Sequence, residues 1–234
     1  MCDIGDIVLP GDKIDNFVQS KGKVLLGPGL QRDGEEVIAV RPGIFKYREP
    51  NIYWIESHQK RYVPSKDEDV IGVVTNAKGE LFKVDIGSSE QASLSYLNFE
   101  GATKRNRPDV KNGDLVYAKL SIADKHAECE LTCVDRDGKS KGKGCLPDGG
   151  FMFQVPLHLA HKLRHPDCPL LKYIGKETAM EVIAAMNGRV WIKSRSARET
   201  IAIANAISAA EFLNYDKMKD FVDNFMNELY LGSS

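Results

Sequence analysis

Short apolar runs separated by turn residues fill the first quarter of the chain, residues 1–63. The runs EEVIAV, GIFKY and NIYWIE (residues 35–40, 43–47 and 51–56) are rich in β-branched and aromatic side chains. Turn signals such as Gly27-Pro28-Gly29 and Asp33-Gly34 separate them. Because such runs form strands bounded by turns, the pattern predicts a small N-terminal β domain. The polar, proline-led stretch 64–70 then reads as a linker.

Five apolar or alternating runs follow between residues 64 and 145, at 70–74, 81–86, 91–97, 114–124 and 127–135. One long polar loop, FEGATKRNRPDVKNGD, separates the third run from the fourth. Five short strands in about 70 residues with this spacing favour a small Greek-key barrel of the OB type. OB folds bind nucleic acid with aromatic side chains on one face and with basic loops.

The pattern changes to helix, strand and helix again from residue 146 to residue 234. Apolar positions at helical spacing predict short helices after Pro156 and Pro169, the second capped by Gly175, and strands follow in TAMEVIAAM and RVWIKS. Ser196 and Glu199 have the spacing of a capping box and open a further helix. The chain is therefore predicted to be multidomain, with a β domain, an OB barrel and a compact α+β domain.

An Asn-Gly pair lies between the two strands of this third part, in AAMNGRVWIKS. Asn-Gly is the strongest short hairpin signal, because both central residues of a type I′ turn need positive φ. A two-residue turn at Asn187-Gly188 would pair Ala184 with Trp191, and would place Met186 and Arg189 on the same face as that ring. A bare tryptophan face is costly, so we expect this face to meet another domain, a partner or a base. We expect structural or interdomain roles for five residues: Met186, Asn187, Gly188, Arg189 and Trp191.

Charge restricts where nucleic acid could bind. The 234 residues carry a formal net charge of −1, so binding must depend on local basic patches. The candidate RNA-binding residues lie on the predicted barrel strands and in the loop TKRNRP: Phe82, Lys83, Tyr96, Lys104, Arg105 and Arg107. Barrel aromatics are also typical core residues and basic loops are also typical solvated ones, so both alternatives stay open. The second basic loop, RDGKSKGKG, is read first as a flexible loop and only second as an RNA contact.

No catalytic, metal or cofactor site is expected. The aspartates flank turns rather than forming the carboxylate set of a two-metal site, and no cysteine or serine has an obvious base partner. Cys129 and Cys133 are expected to pack in the core, and the helical spacing of His158, His161 and His165 lacks further ligands for zinc. The five dispersed cysteines favour a reducing compartment. The acidic N-terminus and the lack of a long apolar stretch argue against a signal peptide and a membrane partner.

Three stretches, VIGVVTNAKGELFKVDIG, SLSYLNFEGATKRNRPDV and MNGRVWIK, resemble the cap subunits of the eukaryotic RNA exosome, most closely those of the component-three type. The resemblance runs from LPGD (residues 9–12) into the last helices. It implies an S1-type OB domain and a KH-like domain. The family carries Gly-x-Asn-Gly in its KH domain, which Asn187 and Gly188 match, whereas Ala185 departs from the first glycine. That departure lowers the expectation of an RNA clamp.

The resemblance implies a non-enzymatic subunit that stabilises a ring of RNase PH-like subunits and guides single-stranded RNA 3′ ends into the channel. The implied partners are ring subunits, other cap subunits and associated exoribonucleases. The implied task is 3′–5′ RNA processing and decay in the nucleus, nucleolus and cytoplasm. Two alternatives stay open: a free-standing single-stranded RNA-binding protein and a phosphorolytic exonuclease. The second needs RNase PH-fold cores, which this length cannot hold.

Overall fold

The computed structural model describes residues 3–14, 23–57, 59–124, 127–213 and 215–231, with side chains described up to residue 226. The chain divides into two compact units, Met1–Gln59 and Lys60–Ser234. The first break therefore follows residue 59, whereas the sequence placed it after residue 63. The proposed boundary between residues 145 and 146 stays a prediction, because both flanking domains belong to the second unit.

The described residues of the N-terminal unit form six short strands: β1 (Ile7–Val8), β2 (Leu25–Leu26), β3 (Leu30–Asp33), β4 (Glu36–Ala39), β5 (Gly43–Arg48) and β6 (Ile52–Glu56). A four-stranded sheet has the order β1-β5-β6-β2, and β3 pairs with β4 in a hairpin. Strand alternation directs Phe45, Tyr53 and Ile55 into one core with Val8 and Ile14. The predicted N-terminal β domain is present.

The next strands form one sheet, of which the first five close into the barrel: β7 (Asp69–Asn76), β8 (Leu81–Asp85), β9 (Ala92–Ser95), β10 (Leu115–Asp124), β11 (Ala127–Thr132) and β12 (Gly144–Cys145). Strand β11 closes the barrel because it pairs antiparallel with β10 and parallel with β9. The predicted five-stranded OB barrel is therefore confirmed, and β12 adds a short edge beside β10.

The barrel interior is filled by alternate residues of each strand. Val70, Val84, Leu94, Val116 and Leu131 are all buried in one cluster. Tyr62 also packs there, and its hydroxyl donates a hydrogen bond to Glu68 at 2.5 Å. This contact explains why the first residues after the break belong with the barrel.

The C-terminal part is an α+β layer: β13 (Phe151–Gln154), α1 (Leu157–Arg164), α2 (Leu170–Glu177), β14 (Met180–Ala184), β15 (Arg189–Ser194), α3 (Ala197–Ala209) and α4 (Met218–Leu231). The sheet order is β13-β15-β14. Gly175 does not end α2, which continues to Glu177, so that predicted cap is wrong. Ser196 caps α3 as predicted by accepting a hydrogen bond from the Glu199 amide at 3.2 Å.

One face of this sheet carries the helices. Val190 and Ile192 of β15 are fully buried against α1, α2, α3 and α4. The opposite face therefore lacks a helical layer of its own, and what covers it decides the role of the hairpin.

Candidate nucleic-acid interface

The Asn187-Gly188 turn has a different geometry from the predicted one. Ala184 pairs with Val190, the Ala185 amide bonds the Arg189 carbonyl at 3.0 Å, and residues 186–188 form the loop. Only Gly188 has positive φ, +75°, and Asn187 does not. The type I′ turn is therefore wrong. A three-residue loop that ends in a left-handed glycine replaces it. A Cβ at Gly188 would also lie 2.7 Å from the Val155 carbonyl oxygen.

This one-residue difference in register changes the face on which each β14 side chain lies. Ile183, rather than Ala184, pairs with Trp191. Because side chains alternate along a strand, this shift of one residue exchanges the faces on which Ile183 and Ala184 lie. Ile183 accordingly packs beside Trp191, and Ala184 packs with the helices. The alternation of β15 itself is as predicted.

Asn187 inserts its side chain beside the barrel strand β7. Its Nδ2 donates to the carbonyls of Ile71 and Ile86, each at 2.8 Å, and its Oδ1 accepts from the Ile71 amide at 3.3 Å. The last paired residue of β8, Asp85, lies opposite Val73, so Ile71 lies beyond the end of β8. The Asn187 carboxamide therefore pairs the backbone of Ile71 as a continuing strand would.

Arg189 makes a second polar contact between hairpin and barrel. Its Nη1 donates to the carbonyls of Asp85 and Ile71 at 2.5 and 3.2 Å, and its Nη2 meets Asp85 Oδ2 at 2.6 Å. The residue is 4% exposed. Burial acts to raise the pKa of Asp85, but hydrogen bonds from the Gly87 amide and Arg189 outweigh it and leave that pKa below its ordinary value.

Trp191 forms the apolar part of the seam. It is 2% exposed and clusters with Ile71 of the barrel and with Ala185. Partly buried side chains from both domains surround these three, namely Leu115, Tyr117, Leu146, Met152 and Ile183. The ring lies against Gly150, where an added Cβ would overlap it. The barrel thus covers the face that the helices leave open.

Met186 and Ala185 complete the contact. The Met186 amide donates to the Asp69 carbonyl at 3.0 Å, and its side chain packs against the barrel core. Ala185 is fully buried in the seam. The structure thus places Met186, Asn187, Arg189 and Trp191 against the barrel, while Gly188 shapes the loop.

These contacts leave the hairpin loop covered by the barrel. A KH-type clamp joins two helices and presents backbone amides to phosphates. The connections between α1 and α2 (165–169) and between α3 and α4 (210–217) contain no glycine. The geometry therefore favours a structural role for the hairpin over an RNA clamp.

The two predicted barrel aromatics lie inside. Phe82 is 5% exposed and packs edge-on against Phe99, with ring centroids 6.2 Å apart. Its ring cannot stack on a base in this structure, because alternation places it on the core face of β8. Tyr96 is 4% exposed, and the Arg107 guanidinium carbon lies 4.8 Å from its ring centroid. Its predicted RNA role cannot be direct stacking in this arrangement either.

The predicted cations differ from one another. Lys83 forms an ion pair with Glu128 across the barrel surface. By contrast, Lys104, Arg105 and Arg107 are exposed, and no ion pair of theirs occurs among the described residues. Hydrogen bonds between Thr103 and Asn106, at 2.9 and 3.0 Å, hold their loop in a closed turn. RNA contact by these cations stays a prediction. The structure supports it in one respect, since the three positive charges have no carboxylate partner among the described residues.

The second basic loop is compensated by carboxylates. Lys141 pairs with Asp135 at 2.6 Å, and Lys143 approaches Asp69 at 3.5 Å. The amide of Ser140 donates to Glu100 at 3.1 Å and its hydroxyl donates to the same oxygen. These bonds hold the Glu100 carboxyl pKa below its ordinary value. The loop is thus attached to the barrel rather than free, and carries less unpaired charge than TKRNRP.

Sequence reasoning missed the barrel partners of the hairpin. Asp85 lies 104 residues before Arg189, and Ile71 lies 116 residues before Asn187. No local pattern marks such pairs, although a polar asparagine and arginine beside a predicted apolar tryptophan face indicate that polar partners are needed there.

Metal-ligand clusters and membrane-spanning helices are both missing from the described ranges. Within the described ranges, no group of three or more His, Cys, Asp and Glu side chains could hold a metal ion. No helix of the described chain is long and apolar enough to cross a bilayer.

Comparison with known proteins identifies the family. Residues 62–144 match the model of the S1 domain of exosome complex component RRP40, and residues 150–198 match a KH domain model. Residues 6–58 match the N-terminal model of mammalian RRP40. Human exosome complex component RRP40 is 44% identical over 206 residues, covering 86% of this chain and 75% of that protein. The chain belongs to the RRP40 family of exosome complex components.

RRP40 proteins of an insect and a yeast also match most of this chain. The Drosophila melanogaster RRP40 protein is 43% identical, covering 88% of this chain and 89% of its own length. The Saccharomyces cerevisiae protein is 35% identical, and the match covers 86% of each. A solved structure described as an exosome complex RNA-binding protein aligns with a TM-score of 0.59 at 23% identity. It covers 74% of this chain and 99% of that one. That last similarity bears on the fold alone.

The Asn187 contacts predict a graded loss of stability. Asn187→Ala removes the side-chain partner of the buried Ile71 amide and Ile86 carbonyl, at about 1–3 kcal/mol each, while the Ile71 carbonyl keeps its bond from Arg189. Asn187→Asp should cost more, because an oxygen would then face two carbonyls. Urea unfolding in a Trp54→Phe background, monitored by the fluorescence of Trp191, measures the free energy of unfolding of both variants. Asn106→Ala, which removes bonds of an exposed turn, is the control; an equal effect of Asn187→Ala and Asn106→Ala would contradict the assignment.

The Arg189–Asp85 contact predicts an acid-dependent difference. The pKa of Asp85 is lowered in the folded state, so its contribution to stability is present above its ordinary pKa of about 3.9 and is lost as pH falls through the folded value. Arg189→Met should therefore reduce the unfolding free energy near pH 7, and the difference from the parent should narrow below about pH 4. Arg195→Met, at an exposed arginine, should show no such narrowing; a pH-independent difference for Arg189→Met would contradict the ion pair.

Gly150 and Gly175 give a matched pair of glycine substitutions. Gly150→Ala should lower the melting temperature, because the new methyl group overlaps the ring of Trp191. Gly175→Ala should raise stability by roughly 0.5–1 kcal/mol, because its Cβ meets only Met180 at 3.8 Å and alanine favours the helix. Calorimetry of the two variants tests the tight packing at Trp191. A Gly150→Ala variant that melts at or above the temperature of the parent would refute that packing.

Proposed function

We propose that this chain is a non-catalytic cap subunit of the RNA exosome that contacts single-stranded RNA through the loop TKRNRP. The observation that carries the RNA contact is a group of three exposed cations on a closed S1-type barrel, Lys104, Arg105 and Arg107, which form no ion pair with the described residues. Cations without carboxylate partners are free to neutralise phosphates, which dominate affinity for nucleic acid.

Guidance rather than chemistry is the task we assign to this contact. The S1-type barrel would direct RNA 3′ ends toward the exosome channel for 3′–5′ processing and degradation, including ribosomal RNA processing and mRNA and non-coding RNA decay. Hydrolysis would belong to an associated exoribonuclease. Family membership supports this division, since the relatives are components of a complex, and the polar groups of the hairpin are engaged in holding two domains together.

Anchoring to RNase PH-like ring subunits and to other cap subunits is the role proposed for the N-terminal unit. The outer face of its sheet supports this role. Ile7 and Ile44 are cross-strand partners and are 78% and 39% exposed, and Leu25 at the other edge is exposed as well. Apolar side chains grouped on an exposed sheet face are typical of protein–protein contacts.

We further propose that the protein acts in the nucleus, nucleolus and cytoplasm. The cysteines among the described residues, Cys129, Cys133, Cys145 and Cys168, are free thiols. Free thiols are typical of the reducing compartments of the cell.

Charge reversal tests the RNA contact. Lys104→Glu, Arg105→Glu and Arg107→Glu together should abolish most RNA crosslinking to this subunit in the assembled complex. For the purified chain, the slope of log affinity against log salt should fall in magnitude by about 2, or 0.7 for each lost phosphate contact. Folding should be unaffected, because the three side chains are exposed.

The matched control places the same charge change on the KH-like domain, at exposed Arg195, Lys217 and Lys219. Equal crosslinking by both triple variants would overturn the proposal. Sub-micromolar, salt-sensitive RNA binding by the chain without any association with ring subunits would instead favour a free-standing RNA-binding protein.

A further inference from the structure

We infer that Tyr96 is a positioning residue for RNA: its buried ring holds the guanidinium of Arg107 in place for the nucleic acid. The inference rests on the proposed RNA contact of the TKRNRP loop and assigns Tyr96 a role there that is not stacking on a base. Three observations support it: the ring of Tyr96 is fixed, the loop is closed by hydrogen bonds, and no carboxylate of the described chain pairs with Arg107.

The ring of Tyr96 is fixed from several sides. Tyr96 begins a 3₁₀ turn, Tyr96–Asn98, directly after β9, and Ser95 caps that turn by accepting from the Leu97 amide at 3.3 Å. The Tyr96 amide bonds the Glu80 carbonyl at 3.2 Å. The side chain then packs in the barrel core with 4% exposure. A ring held in this way is a rigid support for whatever lies over it.

Arg107 is held against that support at one end of a closed turn. Its guanidinium carbon lies 4.8 Å from the ring centroid, within the range of a cation–π contact. The preceding residues are tied back, since Asn106 Nδ2 donates to the Gly101 carbonyl at 3.1 Å and the Asn106 amide donates to Thr103 Oγ1 at 3.0 Å. Both the backbone before Arg107 and the tip of its side chain are therefore restrained.

The contact leaves the charge of Arg107 available. The residue is exposed, and no carboxylate of the described chain forms an ion pair with it. Among the described residues, no ring contact of this kind holds Lys104 or Arg105. Arg107 is thus the pre-ordered cation of the loop, and a pre-ordered side chain loses less conformational freedom when it binds. The five N–H groups of a guanidinium suit a phosphate.

Removing the Tyr96 ring should weaken RNA binding only because Arg107 is no longer held in place. Tyr96→Leu keeps an apolar side chain in the core but removes the cation–π contact, so affinity should fall about two- to fivefold, the scale of such contacts at exposed sites. Tyr96→Phe keeps the ring and should bind like the parent. Phe82→Leu makes the same kind of change at another barrel-core aromatic that has no cation over it, and should leave affinity unchanged.

The deciding experiment is a double-mutant cycle on the full chain, with fluorescence anisotropy of a labelled oligouridine of about 12 nucleotides as the readout. Tyr96→Leu should weaken binding in the parent and have no further effect in the Arg107→Ala variant. Thermal melting of every variant checks folding, and Phe82→Leu reports what a core change alone does to affinity.

The outcomes separate the two claims. If Arg107→Ala leaves affinity and its salt dependence unchanged, the proposed RNA contact at this position is wrong. The positioning role is wrong if Arg107→Ala weakens binding but Tyr96→Leu does not. It is also wrong if Tyr96→Leu weakens binding equally in the parent and in the Arg107→Ala variant. Loss of binding in Phe82→Leu equal to that in Tyr96→Leu would also overturn it, because the effect would then come from the core.

Discussion

The pairing of the Asn187 carboxamide with the backbone of Ile71 is the contact on which the arrangement of the second unit depends. It satisfies a buried amide and a buried carbonyl at a point where β8 has already ended. Without Asn187 the buried amide would lose this partner, at about 1–3 kcal/mol, whereas the carbonyl would keep only its bond from Arg189. Arg189 adds a charged contact to Asp85 beside it, and Trp191 supplies the apolar burial. Together, polar and apolar contacts join the KH-like sheet to the S1-type barrel.

This contact decides how the KH-like domain can function. A KH domain that grips RNA needs an exposed loop with free amides, whereas the hairpin loop here lies against β7 and the amides of Met186 and Gly188 donate to protein carbonyls. The Asn187-Gly188 pair of this chain is thus accounted for by domain packing. We therefore propose the barrel as the RNA contact, because the three TKRNRP cations form no ion pair with the described residues, whereas the RDGKSKGKG loop is restrained by Asp135, Asp69 and Glu100.

Local patterns were sufficient to predict the elements and their classes. Alternation predicted β8 with Phe82, Val84 and Ile86 on one face, and the Ser196 spacing predicted the start of α3. The same patterns could not fix the hairpin register, because Asn-Gly suits both a two-residue and a three-residue loop and the choice depends on Asn187 reaching the barrel. The second basic loop is held by an ion pair to Asp69 and by hydrogen bonds from Ser140 to Glu100, and both carboxylates are distant from it in sequence.

Native-state hydrogen exchange of the full chain tests the central claim most directly, namely that hairpin and barrel form one cooperative structure. The Ile71 amide, which donates to Asn187, should exchange with the same opening free energy as the amides of β15, and both should respond equally to low urea. Exchange of Ile71 through a low-energy local opening, while β15 stays protected, would contradict it. That result would mean that the barrel and the KH-like domain open independently and that the seam does not hold them together.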